Sequence, residues 1–173
     1  MYHHIQPIPI MVNEFAKHLD IKQKVLNDIA SMGTHKLTDV TEQLSNSDWH
    51  LSVDYKRPYV DHLGDIFKET ANNIFKTFNY NLSAIKSLEV LNYWFQQYEH
   101  GDFHNWHIHT GAMFSNIYYI ELPDKTAKTS FLLSGNEFSV DVKEGDIITF
   151  PAFLLHKSSQ NQGFRKTVIA FNI

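Results

Sequence analysis

The sequence predicts an α+β fold that is mainly β, with its helices gathered in the N-terminal half. Two patterns predict it. Apolar residues recur at three- and four-residue steps within residues 1–80, while short alternating runs broken by turn signals fill residues 85–173. Consecutive strands without intervening helices imply a sandwich or barrel. At 173 residues the chain suits one domain. Each helix has an apolar face that needs a partner, so residues 1–80 read as a helical buttress to the β core rather than as a domain of their own.

The elements follow in order. Ile5–Ile10 holds Pro7 and Pro9, which cannot sit in a helix interior, and suits an edge strand. A first helix is expected from about Phe15 or Ile21 to Met32, with Ile21, Val25, Ile29 and Met32 on one face and Gly33 as its stop. Residues 34–57 are polar and read as mixed loop and short strand. A second helix, expected over Tyr59–Phe78 after Pro58, carries an aromatic stripe that includes Phe67, Ile74 and Phe75. Strands are expected at Leu88–Tyr98, Trp106–His109, Phe114–Leu122, Thr129–Leu133, Glu137–Val142, Asp146–Phe150 and Arg165–Ile173. Turns fall at Gly135-Asn136 and Glu144-Gly145-Asp146.

Composition removes several function classes. A net charge of −4 without a basic run gives no electrostatic reason to expect nucleic acid. Zero cysteines exclude disulfides, thiolate zinc sites and cysteine nucleophiles, and fit a reducing compartment. No apolar stretch approaches membrane-spanning length, and the first residues lack a signal-peptide pattern. A soluble, cytoplasmic protein with no membrane partner is the expectation. Gly-x-Ser-x-Gly, phosphate-loop and dinucleotide fingerprints are all missing.

Histidine is the outlier, with eleven residues, and His100, His104, His107 and His109 fall within ten positions. On a strand, residues two apart share a face, so His107 and His109 present two imidazoles together. His156 follows Gly145-x5-Pro151 on a later strand and is the candidate third ligand. Three imidazoles suit a first-row divalent metal and leave positions open. The bland alternative, two sheet histidines facing water, stays open on spacing alone. Trp49, Trp94 and Trp106 read as core or pocket walls.

Gly101-x5-His107-x-His109 and Gly145-x5-Pro151 followed by His156 are similar to the two cupin motifs. Met113 and Phe114 stand where cupins place a glutamate ligand, however, and Phe153 where they place glycine. Residues 88–173 more specifically resemble the prolyl-hydroxylase-like branch of the Fe(II)/2-oxoglutarate dioxygenases, in particular its short bacterial and phage-encoded members. The resemblance rests on Tyr98-x-x-Gly101 ahead of His107, the pair Tyr118-Tyr119, Phe150-Pro151 before His156, Arg165 nine residues later, and the closing run Val168–Asn172. It departs at His109, which stands where the family's His-x-Asp motif has aspartate.

That resemblance implies a double-stranded β-helix, the cupin-like jelly roll, buttressed by helices. It implies Fe(II) held by His107, His109 and His156, with His109 either a ligand or one step behind the metal. It implies 2-oxoglutarate as cosubstrate, with Arg165 gripping its far carboxylate and Tyr119, Tyr98 and Thr167 assisting, and a pocket wall at His104. The partners would be O2 and a small-molecule or peptide substrate; the sequence fixes neither the substrate nor the oligomeric state. A three-histidine cupin-type enzyme that needs no oxo acid, and a non-catalytic β-barrel binding module, are the alternatives.

Overall fold

The computed structural model describes residues 8–52, 54–78 and 88–173. Strand β1 (Met11–Glu14) and helix α1 (His18–Ser31) are followed by three short strands, β2 (Leu37–Thr38), β3 (Glu42–Leu44) and β4 (Asn46–Ser47). A 3-10 turn (Pro58–His62) leads into α2 (Gly64–Phe78). Then come β5 (Asn92–Tyr98), β6 (Phe103–His107), β7 (Phe114–Glu121), β8 (Thr129–Leu133), β9 (Asn136–Ser139), β10 (Asp146–Pro151), β11 (Leu155–Ser158) and β12 (Lys166–Asn172). They form two antiparallel six-stranded sheets, β1-β10-β7-β12-β5-β4 and β2-β3-β6-β11-β8-β9. From β5 onward the chain passes back and forth between the sheets, which is the jelly-roll arrangement expected. Among the described residues, no helix is long and apolar enough to cross a membrane.

Two apolar layers hold the sheets in place. Val25 and Ile29 of α1 and Ile66 and Ile74 of α2 pack on Phe95, Tyr118, Ile169 and Phe171 of the first sheet. Between the sheets lie Tyr98, Tyr119, Phe131, Ile148, Phe150 and Val168. Strand alternation divides each central strand between these layers, so Tyr118 faces the helices and Tyr119 the interior.

Several boundaries differ from the sequence expectation. The second helix is broken at Leu63, where a 3-10 bond from Leu63 N–H to the Val60 carbonyl precedes the first α-helical bond. The edge strand is Met11–Glu14; of the expected Ile5–Ile10, residues 5–7 lie outside the described ones and residues 8–10 are not in a strand. Strand β9 stops at Ser139, and the hairpin before it turns on Ser134 and Gly135, both at positive φ. His109 lies two residues beyond β6, and His156 sits on a separate strand, β11, after the Pro151–Leu154 turn.

The β4–α2 connection is built around one buried ion pair. Asp48 is fully buried; its carboxylate accepts hydrogen bonds from Arg57 Nε (2.7 Å), the Tyr59 hydroxyl (2.8 Å) and the Phe95 amide (2.8 Å). The other Arg57 nitrogens donate to the carbonyls of Asp48, Leu51, Ser52 and Tyr55. One guanidinium thus satisfies a loop that has little backbone pairing of its own. Asp48→Ala would strand that buried cation and is expected to lower stability by about 3–5 kcal/mol. Urea unfolding measures this, and a loss below about 1 kcal/mol would contradict the assigned role.

Candidate metal centre and its cavity

The pairing of β6 with β11 sets His156 directly across from His107. His109 reaches the same place by a different route: its backbone N–H donates to the Ala152 carbonyl (2.9 Å), which ties the β6–β7 loop to the β10–β11 turn. One ligand-capable atom from each of His107, His109 and His156 lies within 4.8 Å of the others. Their ring centroids are 4.2 Å apart for His107 and His156, and 5.2 Å for each of the other two pairs.

The donor chemistry fits a divalent metal. His107 Nδ1–H donates to the Asn105 carbonyl (2.7 Å) and His156 Nδ1–H to the Leu154 carbonyl (2.9 Å), so each Nε2 keeps its lone pair. Metal-binding imidazoles are oriented this way by a backbone acceptor on the far nitrogen. Burial, followed by the neighbouring His107, pushes His156 down to about 2 and His109 down to about 4; burial also lowers His107. All three therefore stay neutral at physiological pH, the form that ligates metal. His104 stacks flat on His107 (centroids 3.8 Å, 11° between planes) and lies 3.5 Å from a Glu42 carboxylate oxygen. It is a wall of the cavity, as expected from sequence.

The cavity runs from these histidines into the space between the sheets, past Trp94, Gln96 and Tyr98 of β5, Thr129 of β8, Ser158 of β11 and Lys166 of β12. Lys166 is only 2% exposed. Its ammonium donates to the Ala127 carbonyl (2.9 Å) and the Ser158 hydroxyl and lies 4.0 Å from the Tyr98 ring centroid. No carboxylate among the described residues pairs with it. Burial pushes Lys166 down to about 7. A buried cation with dipolar neighbours only is poised for an anion.

No protein-family model and no curated protein sequence matches the chain. Solved structures do. A prolyl-4-hydroxylase from Pseudomonas putida superimposes with TM-score 0.68 at 12% identity, over 95% of this chain and 91% of that one. A 2OG-Fe(II) oxygenase-family oxidoreductase from Burkholderia pseudomallei gives TM-score 0.73 at 10% identity, covering 94% of this chain and 84% of that one. The viral collagen prolyl hydroxylase of Paramecium Bursaria Chlorella virus-1, in its 2OG complex, gives 0.63 at 12% identity over 94% of each. The fold is that of the 2-oxoglutarate/Fe(II) oxygenases.

Within that fold, the residues expected around the cosubstrate divide. Tyr98 lines the cavity, its hydroxyl donating to Gln96 Oε1 (2.9 Å). Tyr119 faces inward but lies one layer back, its hydroxyl engaged with the Thr129 side chain (2.8 Å) and amide (3.3 Å). Arg165 points away from the cavity. Its Nε and Nη2 hold both oxygens of Glu121 (3.0 and 3.1 Å), and its side chain is 43% exposed. Thr167 shares that face and the same carboxylate, as its two-residue spacing from Arg165 requires.

The cation that strand alternation turns inward is Lys166, which sequence reasoning missed. The signal was present: Lys166 and Val168 share a face of β12, so an inward Val168 turns Lys166 inward with it. Gln96 and Ser158 were missed too, and neither belongs to a recognisable motif.

Burying Lys166 has a stability signature. Its folded value lies below the ordinary lysine value, so between pH 7 and about 10 the unfolded chain binds more protons and stability rises with pH. Relative to Lys166→Met, which lacks this group, the wild type is expected to gain about 2 kcal/mol between pH 7 and pH 9. Denaturant unfolding of both proteins at the two pH values checks it; a constant difference would place the ammonium in water.

Proposed function

We propose that this chain is an Fe(II)- and 2-oxoglutarate-dependent oxygenase of the hydroxylase type. His107, His109 and His156 would hold the metal, and Lys166, in place of the expected Arg165, would hold the far carboxylate of the oxo acid. One observation carries the reading: three neutral imidazoles and a buried lysine with no carboxylate partner among the described residues line a single cavity. A three-histidine enzyme without an oxo acid would bury that ammonium at a cost with no return. When bound, Fe(II) supplies the redox chemistry, in which O2, 2-oxoglutarate and a substrate C–H become succinate, CO2 and C–OH.

The chain's own residues supply position and charge. Hydrogen bonds from His107 and His156 to backbone carbonyls fix both rings before any ligand arrives. An imidazole at His109, where an aspartate would bring a negative charge, would leave the three ligands neutral, so that a dianionic oxo acid would balance the charge of a divalent metal. Lys166 then regains the charge partner that its burial removed, and the Tyr98 ring beneath it fixes the ammonium's position. The Tyr98 hydroxyl and the Gln96 amide of β5 line the same cavity.

Anaerobic titration tests the reading. Protein purified without a histidine tag and loaded with Fe(II) should gain a weak visible charge-transfer band when 2-oxoglutarate is added. Lys166→Gln removes a charge-assisted hydrogen bond and should weaken 2-oxoglutarate by about tenfold to a hundredfold, with Fe(II) affinity unchanged. Arg165→Gln should change it by less than about threefold, because that side chain serves Glu121. A metal-loaded protein that shows no band would remove the oxygenase reading.

A further inference from the structure

The segments that meet beside the three histidines carry no charge. Residues 105–120 and 147–156 contain no Asp, Glu, Lys or Arg, although these make up 20% of the chain. The β6–β7 loop and the β10–β11 turn are tied together twice, by His109 N–H to the Ala152 carbonyl and by Ala152 N–H to the Met113 carbonyl. On this joined rim Ile108, Met113 and Phe153 are 46%, 45% and 65% exposed. All three lie on the two segments that carry His109 and His156.

A second element reaches the same place. Trp49 is 50% exposed and packs against Trp94 with centroids 4.5 Å apart. Trp94 is buried, lines the cavity and lies 5.4 Å from the ring of His109. An aromatic path thus leads from the surface to a metal-ligand candidate. Trp49 is also rigidly placed, for it follows Asp48, whose buried carboxylate is bound to Arg57 and to the amide of Phe95, next to Trp94. A large indole fixed in position and half open to solvent is costly for a protein to display without a use.

We infer that Trp49 is a specificity-determining residue, and that the substrate presents an uncharged aromatic ring to the Trp49–Trp94 shelf. The reaction performed there rests on the oxygenase reading; the binding does not. An aromatic ring gains stacking on top of apolar burial, whereas a phosphate or carboxylate at this rim would be desolvated with no cation in residues 105–120 and 147–156, the adjoining Lys157 being held by Glu137 (3.0 Å). Aliphatic rings would receive the burial but not the stacking.

Ligand-observed NMR of the purified protein, loaded with redox-inert Zn(II), tests this with three probes: N-acetyl-L-phenylalaninamide, N-acetyl-L-prolinamide and phenyl phosphate. The phenylalanine amide should bind at least about fivefold more tightly than the other two. Trp49→Ala should erase that preference, Trp49→Phe should keep it, and Zn(II) affinity should be the same in both variants. Equal or tighter binding of the proline amide or of phenyl phosphate would overturn the inference, as would a preference that survives Trp49→Ala. A Trp49-dependent preference in a protein that gives no charge-transfer band with Fe(II) and 2-oxoglutarate would uphold the shelf while removing the oxygenase reading.

Discussion

The antiparallel register between β6 and β11 is the constraint on which the site depends. It places His107 opposite His156, although 49 residues separate them in sequence. A slip of one residue would turn either imidazole to the other face and dissolve the cluster. The register is held from both sides, because β11 also pairs with β8 through Leu155–Ser158 and β6 pairs with β3 through Phe103 and His104. His109 is then added by the two backbone hydrogen bonds that tie the β6–β7 loop to the β10–β11 turn. The metal candidates are therefore a product of the sheet rather than of a local motif.

The same sheets explain how a lysine comes to be buried between them. Tyr98, Tyr119, Phe131, Phe150 and Val168 fill the space between the layers, and at its edge Lys166 has only a carbonyl, a hydroxyl and an aromatic face for company. Such an arrangement stores unfavourable desolvation that an anionic ligand would relieve. The outer face of β12 shows the opposite solution. There Arg165 and Thr167 share the Glu121 carboxylate, a satisfied network with nothing left to offer a ligand.

Much of this was legible in the sequence, because much of it is periodic. The amphipathic stripes of α1 and α2 and the alternation of β7, β8 and β12 gave the mainly β fold with its helical buttress. The spacing of His107, His109 and His156 named the imidazoles that the fold brings together. Two features escaped for physical reasons. His109 shares the cluster through a loop contact with Ala152, not through strand alternation, and a loop contact leaves no period behind. Motif spacing drew attention to Arg165, whereas one residue of strand phase sets that side chain on Glu121 and Lys166 in the cavity.

The central claim is that three imidazoles and Lys166 address one metal–oxo acid pair in one cavity. Anomalous diffraction at the iron edge from crystals grown anaerobically with Fe(II) and 2-oxoglutarate tests it most directly. A single iron peak bonded to His107, His109 and His156 is expected, with the far carboxylate of the oxo acid against the Lys166 ammonium. Iron located elsewhere, or an oxo acid whose far carboxylate lies against Arg165 with Lys166 untouched, would contradict it.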